Sequence, residues 1–181
     1  TRSRAGKTLQ PKLGLLSIIS DAFFEKHIPN LTILPVHISY EKILEGESYT
    51  HELLGEKKKP ETLQNLIKAR AVLRKKHGDI DVRFAKPIKL AEYTQKVVQM
   101  RQAVTGKPFD PYQNVEHKKQ LVQHLGYKIA YDLDKTSICM PTALIATLLL
   151  THGEGMAFDQ LVDKYVWLKE LIIARGGHVH H

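Results

Sequence analysis

Thr1, Arg2, Ser3 and Arg4 open the chain, with Gly6 and Lys7 close behind and no acidic residue before Asp21. Two arginines two residues apart in a glycine-containing loop can aim forked donors at one anion, and the Thr1 and Ser3 hydroxyls can serve its remaining acceptor positions. The chemistry this suggests is recognition of an anion. A solvated basic loop is the competing reading, and four residues alone leave both open.

The other chemical candidates are more diffuse. His178, His180 and His181 are near enough in sequence to chelate a transition metal. With no Cys or carboxylate beside them, the expectation is a flexible end and no metal site. Cys139 lies beside Met140 without a basic neighbour to activate it, so a buried apolar role is expected. His37 is expected to be structural. Arg70, on an apolar arc, reads as a snorkelling side chain, an ion-pair partner or a second anion contact. Trp167 is expected in the core. Lys57, Lys58 and Lys59, and the basic face Lys68, Arg74, Lys75 and Lys76, read as solvated, or as resting on anionic lipid headgroups.

Positioning these residues requires regular elements. Apolar residues from Leu13 to Phe24 predict a largely buried helix that ends near residues 27–30, where Pro29 stops it. Residues 31–40 predict a strand with Leu34, Val36, Ile38 and Tyr40 on one face and Ile33, Pro35, His37 and Ser39 on the other. Pro35 lacks a ladder donor, so the strand is expected to lie at an edge, bulge, or meet a ligand there. Pro60 opens a predicted helix to about residue 76, and residues 79–85 alternate as a half-buried strand. The helix, strand, helix, strand order of the first 90 residues predicts an α/β layer.

Beyond Ala91 no strand pattern is evident. A helix over 91–104, a breaker at 105–111, and a helix with Val115, Val122, Leu125, Gly126 and Ile129 inward are expected. Pro141 then opens a nearly all-apolar helix, expected to be buried. A last helix over 157–175 has Phe158, Leu161, Val162, Tyr165, Leu168 and Ile172 at core spacing and stops at Gly176 and Gly177. The predicted organisation is residues 1–90 as α/β, 91–112 as a connecting helix and loop, and 113–181 as an all-helical C-terminal segment.

Composition narrows the class. The 181 residues carry 27 Lys plus Arg against 19 Asp plus Glu, a net charge of +8, with 43% hydrophobic and 25% charged residues. This is globular composition, which excludes a disordered tail or a collagen-like fibre. One cysteine excludes an internal disulfide. The mainly apolar stretch 138–150, broken by Pro141, is too short to span a bilayer. The positive charge suits nucleic acid, an anionic membrane or a phosphorylated substrate. No element that reads nucleic acid is present, and the aromatics are scattered, so a nucleic-acid module or a helical interaction module is the runner-up. Thr1 in place of Met, with no targeting tripeptide at His181, leads us to expect a piece of a longer protein.

A longer pattern joins these pieces. Thr1-Arg2-Ser3-Arg4, Gly6-Lys7, Pro11-Lys12 and Gly14-Leu15-Leu16 are followed by Leu34-Pro35-Val36-His37-Ile38-Ser39-Tyr40-Glu41-Lys42 and by Glu47-Ser48-Tyr49 with Glu52-Leu53-Leu54-Gly55. In order, these resemble the glycerol-3-phosphate and dihydroxyacetone-phosphate acyltransferase family, whose third block reads Glu-Gly-Thr-Arg-Ser-Arg and whose fourth centres on a proline-containing strand. The likeness continues through Leu66-Ile67-Lys68-Ala69-Arg70, Val82-Arg83-Phe84, Pro87-Ile88, Phe158-Asp159 and Trp167-Leu168-Lys169, covering most of the chain. The later segments look more like the dihydroxyacetone-phosphate branch, which is peroxisomal and serves ether-lipid synthesis, than the mitochondrial or bacterial glycerol-3-phosphate branch, which makes the mitochondrial outer membrane the alternative location.

The resemblance implies the back part of an acyltransferase α/β domain followed by an all-helical C-terminal segment. It further implies transfer of a fatty acyl group from acyl-CoA, as co-substrate, to dihydroxyacetone phosphate or glycerol 3-phosphate at a membrane surface, with no cofactor. Arg2 and Arg4 match the phosphate-binding arginines, Thr1 and Ser3 share their block, and Pro35 matches the fourth-block proline that shapes a substrate pocket. The family's general base is the His of His-x-x-x-x-Asp. None of the ten histidines is followed five positions later by Asp, so no catalytic residue is assigned and the isolated chain is expected to be inactive.

Overall fold

Helix α1 (Gly14–Phe24) forms where the apolar run predicts it, in a computed structural model that describes residues 8–42, 54 and 78–180. It stops before Pro29 because Lys26 takes a left-handed conformation (φ 63°), and the amides of Lys26 and His27 turn back to the Phe23 and Ala22 carbonyls. The expectation of a largely buried helix is corrected. Ser20, Phe23 and Phe24 are buried, while Leu15 and Ile18 face outward.

The predicted strand 31–40 is present in two pieces, β1 (Thr32–Ile33) and β2 (Val36–Tyr40). They pair with β4 (Ile88–Lys89) and β3 (Ile80–Phe84), respectively. In the β1–β4 pair, which is antiparallel, Ile33 stands opposite Ile88. The Ala85 amide donates to the Pro35 carbonyl and the Glu41 amide to the Asp79 carbonyl, both at 3.0 Å, which makes β2–β3 antiparallel as well. From the pair Pro35–Ala85 to the pair Ile33–Ile88, the chain advances two residues on one side and three on the other. One residue is therefore inserted on the second strand, between Ala85 and Ile88. Of the outcomes expected at Pro35, a bulge is found, but its inserted residue lies on the partner strand beside Pro87.

The insertion decides which side chains reach the core. Without it, Ile88 would share the outward face of Ile80, Val82 and Phe84; with it, Ile88 is buried beside Ile33. The apolar face Leu34, Val36, Ile38 and Tyr40 is the exposed one, and Pro35 and His37 are buried on the other.

Helix α2 (Leu90–Thr105) ends at Gly106, and helix α3 (Val115–Thr136) begins where the Asn114 side chain accepts from the Glu116 and His117 amides at 2.9 and 3.1 Å. Val122, Leu125 and Gly126 face inward as expected and Ile129 packs on the core, but Val115 is exposed, and Leu121, not anticipated, is fully buried.

The chain divides into two compact units. The first takes in Thr1–His37 and Arg83–Thr136, and its core joins Phe23, Phe24, Leu90, Val97, Leu121 and Leu125. The second takes in Ile38–Val82 and Ser137–His181. It contains α4 (Pro141–Thr151) and α5 (Phe158–Ala174), with Ile138, Met140, Leu144, Leu148 and Val179 buried.

Four expectations for the second unit are corrected. The segment 113–181 is not all helical: β5 (Ile138–Cys139) pairs in parallel with β6 (His178–Val179). Two-residue strands are too short to leave a period in the sequence. The pairing, extended by the His180 amide on the Cys139 carbonyl at 3.0 Å, also replaces the expected flexible end at His178 and His180. Helix α4 is not buried all round, since Leu150 is 84% exposed. On α5, Phe158, Val162 and Trp167 lie at the surface rather than in the core. Gly176, left-handed at φ 79°, ends α5 as predicted. No described helix is long and apolar enough to cross a membrane.

Candidate functional site

The basic block Thr1, Arg2, Ser3 and Arg4 lies outside the described residues, as do Arg70, Lys57 to Lys59, Lys68, Arg74 to Lys76 and His181. The structure does describe where the chain goes after Lys7. The Thr8 hydroxyl donates to Asp134 Oδ1 at 2.7 Å, near the C-terminal end of α3. Pro11 and Leu13 lie over Gly126, where an added Cβ would stand 2.5 Å from Leu13 Cδ2 and 3.3 Å from Pro11 Cγ. Farther along, Lys118 reaches Asp21 on α1 at 2.6 Å. Residues 8–21 therefore run antiparallel along α3, held at three heights.

Pro35 is buried at the break between β1 and β2, and its carbonyl caps the β2–β3 ladder. His37, two residues on, is buried in β2. Cys139 is a free, half-buried thiol in β5. Among the described residues no three His, Cys, Asp or Glu side chains gather in a way that would hold a metal.

Several polar contacts have no local signature in the sequence. The Tyr93 hydroxyl on α2 lies 2.6 Å from His124 Nδ1 on α3. Burial, with a smaller push from the Asp132 charge, raises the Tyr93 hydroxyl to about 12. It therefore stays protonated at neutral pH. On the second unit Lys164 Nζ donates to His152 Nε2 at 2.6 Å, while His152 Nδ1 lies 2.9 Å from the Leu148 carbonyl. That carbonyl can only accept, so the proton on the neutral ring sits on Nδ1.

A cleft of about 630 Å³ opens beside α2, walled by Gln99, Pro108, Phe109, Pro111 and Tyr112. Thr94 also lines it, and among the described residues the buried Thr94 Oγ1 has no hydrogen-bond partner. Burial and the Asp110 charge raise the Tyr112 hydroxyl above its usual value. Pairs such as Tyr93–His124, far apart in sequence, are created by the meeting of α2 and α3 and leave no spacing to find.

The model of the family described as glycerol-3-phosphate acyltransferase C-terminal region matches residues 49–181. The chain belongs to that family. The chain is also similar, at 36% identity over 177 residues, to the dihydroxyacetone phosphate acyltransferase of Homo sapiens; the match covers 98% of this chain and 26% of that protein. The rabbit (Oryctolagus cuniculus) dihydroxyacetone phosphate acyltransferase matches at the same identity and coverage. The glycerol-3-phosphate acyltransferase of Ectopseudomonas mendocina is 33% identical over 172 residues, 92% of this chain and 20% of that protein. The chain thus spans about a quarter, 26%, of the length of the dihydroxyacetone phosphate acyltransferases it matches. The expected family is confirmed, and among the described residues five helices and small sheets form a mixed α/β arrangement.

Proposed function

We propose that this chain is part of an O-acyltransferase that moves a fatty acyl group from acyl-CoA to dihydroxyacetone phosphate, its own contribution being the acceptor's phosphate site. The observation that carries the reading is the Thr1-Arg2-Ser3-Arg4 block in a chain matched over 98% of its length by proteins named for that acceptor. In the reaction the acceptor's hydroxyl oxygen attacks the thioester carbonyl. The carbon–sulfur bond breaks, and the thiol of CoA leaves with the proton that a base removes from the hydroxyl. Arg2 and Arg4 hold the phosphate, and Thr1 and Ser3 donate to its remaining oxygens. Pro35, buried where two strand pairings meet, shapes the wall of the substrate pocket.

Glycerol 3-phosphate as acceptor is the second reading, supported by the 33% identical glycerol-3-phosphate acyltransferase. The two acceptors share the phosphate and differ at the carbon beside the reacting hydroxyl, so the same arginines serve both. A peroxisomal location, a place in ether-lipid synthesis and attachment to a membrane surface follow from the dihydroxyacetone-phosphate reading.

The test replaces the matching region of the Homo sapiens relative with this chain and assays transfer of palmitate from palmitoyl-CoA. Arg2→Ala and Arg4→Ala are expected to raise the acceptor's KM at least about tenfold, the loss of one charge-assisted bond, while leaving that of palmitoyl-CoA within about twofold. Equal effects on both substrates would count against the phosphate role. The isolated 181 residues are expected to transfer nothing, lacking the His-x-x-x-x-Asp base.

A further inference from the structure

We propose that the outward face of α4 is the surface by which this chain rests in the hydrocarbon boundary of a lipid bilayer. The inference rests on the membrane attachment put forward above and gives it a place in the fold. Residues 136–153 contain no Asp, Glu, Lys or Arg. Helix α4 lies within that stretch, and only Leu144 and Leu148 on it are buried. Its exposed arc holds Ala143, Ile145, Ala146, Leu149 and Leu150, the last 84% exposed. The turn after it leads to Phe158, also exposed, at the start of α5. A helix on a water-facing surface turns charged or polar side chains outward, whereas α4 turns out alanine, isoleucine and leucine.

The polar groups on α4 point to lipid as the occupant. Its three threonines are all bonded within the protein. Thr142 Oγ1 donates to the Glu41 carbonyl at 3.3 Å, Thr147 Oγ1 to the Ala143 carbonyl at 2.8 Å and Thr151 Oγ1 to the Leu148 carbonyl at 2.9 Å. At the C-terminal end, the amides of His152 and Gly155 return to the Leu149 and His152 carbonyls. Water makes no such demand on an exposed hydroxyl, but hydrocarbon penalises each unpaired one. At 11 residues α4 is about 16 Å long, roughly half of a hydrocarbon core of about 30 Å, so it lies in the plane of the boundary. Glu154, Asp159 and Asp163 stand in the turn and on α5, where they stay with the headgroups. A second copy of the chain would set one net charge of +8 against another, and this face carries no anion to offset it. A neutral or anionic bilayer meets no such repulsion.

The proposal is tested by flotation of the 181-residue chain with phosphatidylcholine vesicles, whose lack of net charge isolates the apolar contribution. The wild-type chain is expected to float with them. Leu150→Glu and Ala146→Glu should each lower the partition coefficient at least about tenfold. Both positions are exposed, so the thermal midpoint should change little, and Gln160→Glu on α5 is the charge-matched control that floats like wild type. Leu150→Trp in a Trp167→Phe background should be quenched by brominated lipid chains; if that double variant does not fold, the flotation series decides alone. Flotation that survives both glutamate variants, or an unquenched Leu150→Trp variant, overturns the role of α4 and leaves membrane attachment to another surface. Flotation only with vesicles containing phosphatidylserine, abolished by salt, does the same. A wild-type chain that floats with neither kind of vesicle overturns the membrane attachment of this chain, and the role of α4 falls with it. Dimerisation that is lost in Leu150→Glu would make a second copy the occupant and overturn the proposal.

Discussion

The Tyr93 hydroxyl lies 2.6 Å from His124 Nδ1, and this contact ties α2 to α3 beside the shared core. The two rings also stack, with centroids 6.0 Å apart. Because α3 carries the Thr8 and Leu13 contacts as well, the same helix serves the core on one side and the entering chain on another.

Tyr93→Phe should cost about 0.5–1.5 kcal/mol, since it removes the hydroxyl and keeps the ring. It should also alter the alkaline limb of stability. The unfolded tyrosine ionises near 10.0 and the folded one near 12, so the unfolded state gives up its proton first. Stability linked to Tyr93 is fully present below pH 10 and is lost as pH rises towards 12. Thermal melts across that window should fall more steeply for wild type than for Tyr93→Phe; parallel slopes would refute the assignment.

Ile88 and Phe84 have the same parity in sequence and would share a face of a regular strand. The inserted residue separates them, leaving Ile88 8% and Phe84 65% exposed. Ile88→Ala should therefore cost about 2–5 kcal/mol, and Phe84→Ala less than about 1 kcal/mol, the scale of a cross-strand pair. Urea denaturation of the two variants measures both, and similar costs would mean that the bulge is absent.

Leu148 and Leu150 make the corresponding comparison on α4. Leu148 is buried and Leu150 is exposed. Leu148→Ala should lose about 2–5 kcal/mol through the cavity it leaves, whereas Leu150→Ala should stay within about 0.5 kcal/mol. A large loss at Leu150 would show that this face is covered in solution.

Much of the local structure could be read from single segments. Pro29, Gly106 and Gly176 mark true helix ends or their neighbourhood, and Pro35 announces the break in the first strand. The family was also legible, because the Thr-Arg-Ser-Arg block and the proline-containing strand occur in the right order. Burial was read less well. Leu15, Ile18, Leu150, Phe158 and Trp167 fit apolar patterns and yet lie at the surface. Such patterns state what a face can bury, and not whether another element comes to cover it.

The amino-acid sequence by itself determined the helices among the described residues, the punctuation between them and the order of blocks that places the chain in its family. Each depends on residues near one another, through backbone preference and spacing. Only the tertiary structure decided that Ile88 turns inward past the inserted residue, that His178 and Val179 pair with Ile138 and Cys139, and that Thr8 and Leu13 lie along α3. Those relationships join residues between 40 and 126 positions apart, or depend on one inserted residue. They exist because packing brings elements together, and the spacing along the chain carries no record of it.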